Sequence, residues 1–253
     1  MRRGWRVFWI ICAILTVIGL ICCAAAVMLG VSIDDMSVGY YGSGVSENFN
    51  GIEELDIDTN GHLIIESYDG ESILVEAEGS NRWKVSCQED GDILKIRTKI
   101  RWAWFGNYDT GTVYVYVPEG YVFGRADISI SDGKADVLGL KSGQLKLEVG
   151  AGEGLLKEFE TDDLKMGCDA GRIEAAGTVN GDIRVSCGVG EAVLELSGAE
   201  RDYNHKIVCD IGRVVVGDSS YSGIDNERRR ENGADKTIDI DCSVGKVTVD
   251  FER

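Results

Sequence analysis

Eight cysteines and two histidines are the side chains in this sequence best suited to metal, redox or nucleophilic chemistry. Cys12, Cys22 and Cys23 lie in an apolar stretch near the N-terminus and Cys87 stands apart, while Cys168, Cys187, Cys209 and Cys242 occupy one recurring position. If that position repeats on strands stacked ~4.8 Å apart, four thiols extend over ~14 Å, whereas the sulfur ligands of a zinc ion surround one point at ~2.3 Å. No metal site is expected. A disulfide between neighbouring strands fits the allowed Cα separation of ~4.4–6.8 Å, and Cys168–Cys187 is the pair that would form it. Parallel Cβ vectors disfavour the required torsion, so the favoured reading is a buried column of small apolar side chains.

Neither His62 nor His205 has a nucleophile pattern nearby, and no catalytic residue is assigned. Gly150-Ala151-Gly152-Glu153-Gly154 lacks the Gly-x-Gly-x-x-Gly spacing of a dinucleotide loop and no helical pattern follows it, so no cofactor is expected. Asp239 and Asp241 lie two apart on one outward strand face, where carboxylates are usually solvated rather than paired for hydrolysis. The aromatic run Trp102, Trp104, Phe105 and Tyr108 is the candidate binding feature: it could grip a glycan, a lipid headgroup or a partner, or equally cover an open end of the core.

The elements that would position these residues follow from patterning. Val7 to Gly30 is uncharged and mostly apolar, 24 residues in all, long enough as a helix to span a ~30 Å hydrocarbon core. Arg2, Arg3 and Arg6 precede it and Asp34 and Asp35 follow, so the N-terminus is expected in the cytoplasm and the remainder outside a cell membrane. Small residues at Ala24-Ala25-Ala26 leave open a cleaved signal peptide, although the apolar run exceeds the ~7–15 residues of a usual signal core. The expected organisation is residues 1–6 cytoplasmic, 7–30 transmembrane helix, 31–50 juxtamembrane spacer and 51–253 extracytoplasmic β-strand-repeat domain.

That domain reads as all-β. The chain holds 33 glycines and one proline, and short alternating runs such as Leu55, Ile57 and Val113, Val115, Val117 are bounded by Gly, Asp or Asn. Gly133, Gly152, Gly171 and Gly190 recur every 19 residues, followed by Gly212 and Gly245 after 22 and 33. Three, five and seven residues before each glycine the side chains are apolar with few exceptions, and charged or polar residues lie between them. Such columns predict a single-stranded β-solenoid of about 19 residues per rung, with two short strands around a tight turn. Between Ile52 and Val117 the register is less regular, and Gly61 fits only if Leu55, Ile57 and Thr59 sit one residue closer to it. This part reads either as a distorted start of the coil or as a small sheet capping it. The extra residues, Ser197 to Asn204 and Gly217 to Thr237, should emerge at one corner, and the mixed charge run Asn226 to Asn232 within the second reads as a solvated loop rather than a docking site.

Leu55-Asp56-Ile57 through Gly61, the Val113-Tyr114-Val115-Tyr116-Val117-Pro118 strand, and the rung from Ile238 to Val247 resemble the bacterial putative-adhesin family of β-strand-repeat cell-envelope proteins, over roughly Ile52 to Phe251. The resemblance implies an envelope protein with a solenoid-like domain and specifies fold far better than activity.

A net charge of −17 argues against nucleic-acid binding, which needs clustered Lys and Arg. The expected function is non-enzymatic, adhesin-like interaction from a membrane anchor with a cell-wall component or an envelope protein. An envelope-stress signalling accessory is the alternative, and a carbohydrate-active enzyme or a self-polymerising scaffold comes after it.

Overall fold

Alternation carries over directly into strands, because side chains two apart on an extended backbone share a face. A computed structural model describes residues 44–80, 83–100 and 110–252 of the chain. In order these form β1 (Gly44–Phe49), β2 (Glu54–Tyr68), β3 (Ile73–Glu78), β4 (Trp83–Asp90), β5 (Ile93–Ile100) and β6 (Thr112–Pro118). Then come β7 (Val122–Leu138), β8 (Lys141–Val179), β9 (Ile183–Ser197), β10 (Tyr203–Val216), β11 (Ser219–Arg230) and β12 (Lys236–Glu252). One 3-10 turn, Glu200–Asp202, precedes β10. The fold is all-β. Among the described residues no helix is long and apolar enough to cross a membrane, and the stretch 7–30 lies outside them.

Long strands replace the expected tight turns. β7, β9, β10 and β12 each run through their glycine without a break, and β8 is long enough to supply two rungs. Each glycine is therefore a bend in a continuous strand. The reason for glycine there is the approach of neighbouring rungs: a Cβ on Gly152, whose φ is +132°, would run into the carbonyl oxygen of Gly133. The same obstruction recurs from Gly61 through Gly133, Gly152, Gly171 and Gly190 to Gly245 and Gly212, forming one glycine spine.

Stacking does not follow chain order. β7 to β9 stack in sequence as parallel rungs, but β12 lies next, with Gly245 opposite Gly190, and β10 lies beyond it, with Gly212 opposite Gly245. The last rung of the chain is thus inside the stack. Relative to the 19-residue repeat, the 22-residue interval before Gly212 accommodates the 3-10 turn Glu200–Asp202, which carries the chain past the place β12 fills. The 33-residue interval holds β11, an antiparallel partner on the outer edge of β10 from Val216↔Ser219 to His205↔Arg230. The segment expected as a solvated loop is consequently a strand through Arg230, because the edge of β10 offers unpaired amides and carbonyls.

At the other end β2 is a true rung: Leu55, Ile57 and Thr59 oppose Ala126, Ile128 and Ile130, and the register shifts by one residue before Gly61↔Gly133. Its other edge splits, pairing β5 before the glycine and β6 after it, both in parallel. The antiparallel strands β4, β3 and β1 then continue outward from these. Both readings of Ile52 to Pro118 therefore hold in part, as one distorted rung and an antiparallel end. Within the stretch expected as a spacer, Gly44–Phe49 is β1 with Phe49 buried, and residues 31–43 lie outside the described residues.

Inward columns form one hydrophobic core between the strand faces. Ala126, Leu145, Leu164, Ile183, His205 and Ile238 are all buried, as are the columns at Ile128 and Ile130.

Candidate interaction surfaces

The cysteine column is continuous but reordered: Cys168 opposes Cys187, Cys187 opposes Cys242, and Cys242 opposes Cys209. All four are buried free thiols, so Cys168 and Cys187 are neighbours without a bridge. Burial pushes Cys168 up to about 11 and Cys242 to about 12, the direction expected when a thiolate would lose its water. Such thiols are poor nucleophiles. Cys87, on β4, is raised to about 12 by burial and by the nearby charge of Glu47.

His205 is 2% exposed and neither ring nitrogen finds a hydrogen-bond partner. Desolvation lowers its pKa, opposed by Glu200 and reinforced by Arg230. His62 instead faces outward, its Nε2 2.8 Å from Asp136, which also pairs with Lys134 at 2.9 Å. Burial works to raise the Asp136 pKa, but the hydrogen bonds from Lys134 and His62 prevail and hold it below the usual carboxylate range. His62, Asp136 and Lys134 form a polar cluster on a strand face, with no hydroxyl or thiol partner among these contacts.

Three outer surfaces remain. Before the glycine spine, the outward faces of five rungs line a groove of ≈ 560 Å³ whose floor includes Leu145, Leu164 and Ile183. Its charges are largely neutralised in place: Arg125 binds Asp127 at 2.6 Å, and Lys146 and Lys165 share Glu148 at 2.9 and 3.0 Å. Asp163 and Asp182 accept backbone amides of the next rung, from Asp182 and Thr237 at 3.0 and 2.8 Å. After the spine, Arg172 pairs with Glu174 and Glu191, and Lys246 with Glu191, at 2.5–3.0 Å. Asp239, on the groove, pairs with Lys206 at 3.1 Å and so is no partner of Asp241 in acid chemistry. The corner holding both insertions is the second surface, closed by Arg230 to Glu200 at 2.7 Å, which agrees with the expected common exit.

The third surface lies at the N-terminal end, where β6 turns Val113 and Val115 inward and Tyr114 and Tyr116 outward. Their rings are parallel within 5° at 6.2 Å between centroids, and Tyr68 of β2 lies 5.9 Å from Tyr116 at 57°. The Val-Tyr alternation of Val113 to Val117 was the available signal for this aromatic face. Trp102, Trp104, Phe105 and Tyr108 lie outside the described residues.

A family model described as Toastrack DUF4097 matches residues 52–201. No curated protein matches the chain. Among solved structures, a putative cell adhesion protein from Clostridium sporogenes is 14% identical, with 85% of this chain and 100% of that chain covered and a TM-score of 0.42. A putative adhesin from Bacteroides fragilis is 11% identical, with 81% and 96% covered and a TM-score of 0.34. One from Parabacteroides distasonis is 14% identical, with 85% and 98% covered and a TM-score of 0.36.

Proposed function

This chain belongs to the Toastrack DUF4097 family, and from that premise we propose that it is a membrane-anchored, extracytoplasmic, non-enzymatic protein of adhesin-like contact. Residues 7–30 anchor it in the cell membrane with the N-terminus in the cytoplasm, and the β domain meets a cell-wall component or an envelope protein.

The observation that carries this reading is the register of the outer faces. Because β7, β8, β9 and β12 stack residue for residue, Lys146, Lys165 and Arg184 form an aligned row across the groove, with Asp163 and Asp182 aligned beside them. Rows repeating at the ~4.8 Å spacing of strands suit a partner that is itself repetitive, where many weak contacts add to a useful affinity. Paired charges on a rigid sheet cost little reorganisation on contact.

Full-length protein reconstituted in liposomes and mixed with purified cell-wall sacculi provides the test. Salt-sensitive co-sedimentation is expected, weakened when Lys146, Lys165 and Arg184 are changed together to Gln. Liposomes carrying the protein that sediment no more than empty ones would overturn wall contact. Exchanging residues 7–30 for an unrelated spanning helix should leave binding intact, whereas a phenotype lost with that exchange alone would favour signalling through the anchor.

A further inference from the structure

Around the tyrosines of β6, among the described residues, three carboxylates lack the ion pairs that Glu148, Glu174 and Glu191 make on the rungs. Glu66 of β2 is opposite Tyr116, Glu76 of β3 is opposite Tyr114, and Glu78 is opposite Thr112. Among the described residues none of these three carboxylates has an ion-pair partner, and Glu76 accepts only the Ser46 hydroxyl, at 3.2 Å. Glu148, Glu174 and Glu191, on the rungs, each face a Lys or Arg within 3.0 Å. Among the described residues the N-terminal face therefore combines outward tyrosine rings with carboxylates that have no ion-pair partner. Burial, and after it the charges of Glu76 and Glu66, push the Tyr116 pKa above the usual tyrosine range.

A cation complements both features, through the ring quadrupole and through the carboxylates. Spacing narrows the choice. The 6.2 Å between parallel rings is close to the ~6.6–6.8 Å that separates alternate residues of an extended chain, so a strand laid along β6 would place one cationic side chain over each ring. We propose that the outer face of β6, with Tyr68 and the carboxylates of Glu66, Glu76 and Glu78, docks an extended segment of a partner polypeptide bearing lysine or arginine at alternate positions. This deepens the contact reading by naming a partner class. It uses a different face from the groove, so failure here leaves wall co-sedimentation untouched.

The test is fluorescence anisotropy of a labelled peptide of alternating lysine and glycine, titrated with the full-length protein in nanodiscs. Binding is expected to weaken about tenfold when Glu66, Glu76 and Glu78 become Gln, and by a similar factor when Tyr114 and Tyr116 become Leu. Changing Glu160, which pairs with Lys141 at 3.0 Å, together with the paired Glu174 and Glu191 to Gln alters net charge equally and is expected to shift affinity less than about twofold. Tyr116→Phe keeps the ring and should keep binding, which separates loss of the face from loss of folding, checked by circular dichroism. Equal losses in the two glutamate triples would reduce the effect to long-range charge and overturn the proposal. So would choline competing as effectively as the peptide, since a single ammonium site needs no extended partner.

Discussion

From β7 to β12 each inward column passes from rung to rung without interruption, whereas before β7 the columns survive for a single strand, β2, and then divide. The two regions are built from the same residue types. What differs is the glycine spine: within the stack each rung approaches the next so closely that a Cβ cannot fit, and this locks the register of everything on either side. In the N-terminal region the spine passes from Gly61 to Gly111, which lies outside any strand, β2 pairs with different strands before and after Gly61, and antiparallel hairpins close the edge. A parallel stack is thus terminated by strands that need no repeat, at β4, β3 and β1 on one side and β11 on the other. Edges left open would invite pairing with other chains.

The sharpest way to break the stack is to remove its internal last rung. Deleting residues 236–253 takes β12 from between β9 and β10, so β10 and β11 should lose their folded partner altogether. Native-state hydrogen exchange or limited proteolysis should show residues 203–230 unprotected. Retained protection there would mean that β10 can repack directly on β9. Substitution of glycine should separate the two regions next. Gly152→Ala meets the Gly133 carbonyl and is expected to cost more than about 3 kcal/mol in chemical denaturation. Gly91→Ala, in the β4–β5 turn at φ +68° with open space around it, should cost only about 1 kcal/mol.

A smaller effect concerns pH. Burial depresses the folded-state pKa of His205 below the ordinary histidine range, so the unfolded chain binds the proton more readily. Stability is full above the unfolded value and falls as pH drops from there toward the folded one, by at most about 1.4 kcal/mol per pH unit for this one group. Thermal melts between pH 7.5 and 5.5 should show a slope that His205→Phe flattens, and an unchanged slope would place the acid sensitivity elsewhere. The smallest change is a gain. Glu158 holds φ +53° at the corner that Gly139 occupies, at φ +74°, on the preceding rung. Glu158→Gly should raise stability by roughly 0.5–1 kcal/mol through relief of backbone strain, read as a higher melting temperature.

Much of the stack was legible in advance. The 19-residue spacing, the buried columns and the one-residue offset of Leu55, Ile57 and Thr59 all follow from period-two patterning against a recurrent glycine. The cysteine column was legible as a column of small buried groups, but its order was not. Part of β11 reads as a loop because Asn226 to Arg230 is polar throughout, and an edge strand held by backbone bonds needs only the short apolar contact that Tyr221 makes with the core. The tyrosine face escaped notice as a site because Tyr114 and Tyr116 read equally well as half-buried strand residues.

By itself the sequence determined which residues point inward, where each rung bends, and that the domain is a repeating all-β structure, because these depend on local alternation and on the steric need for glycine. Only the tertiary structure decided which rung lies beside which, and therefore that Cys187 meets Cys242 and that the chain's last strand is interior. Rungs of equivalent pattern are interchangeable to local rules. Their order is set by connection length and by which edge the β10–β11 hairpin leaves open for β12.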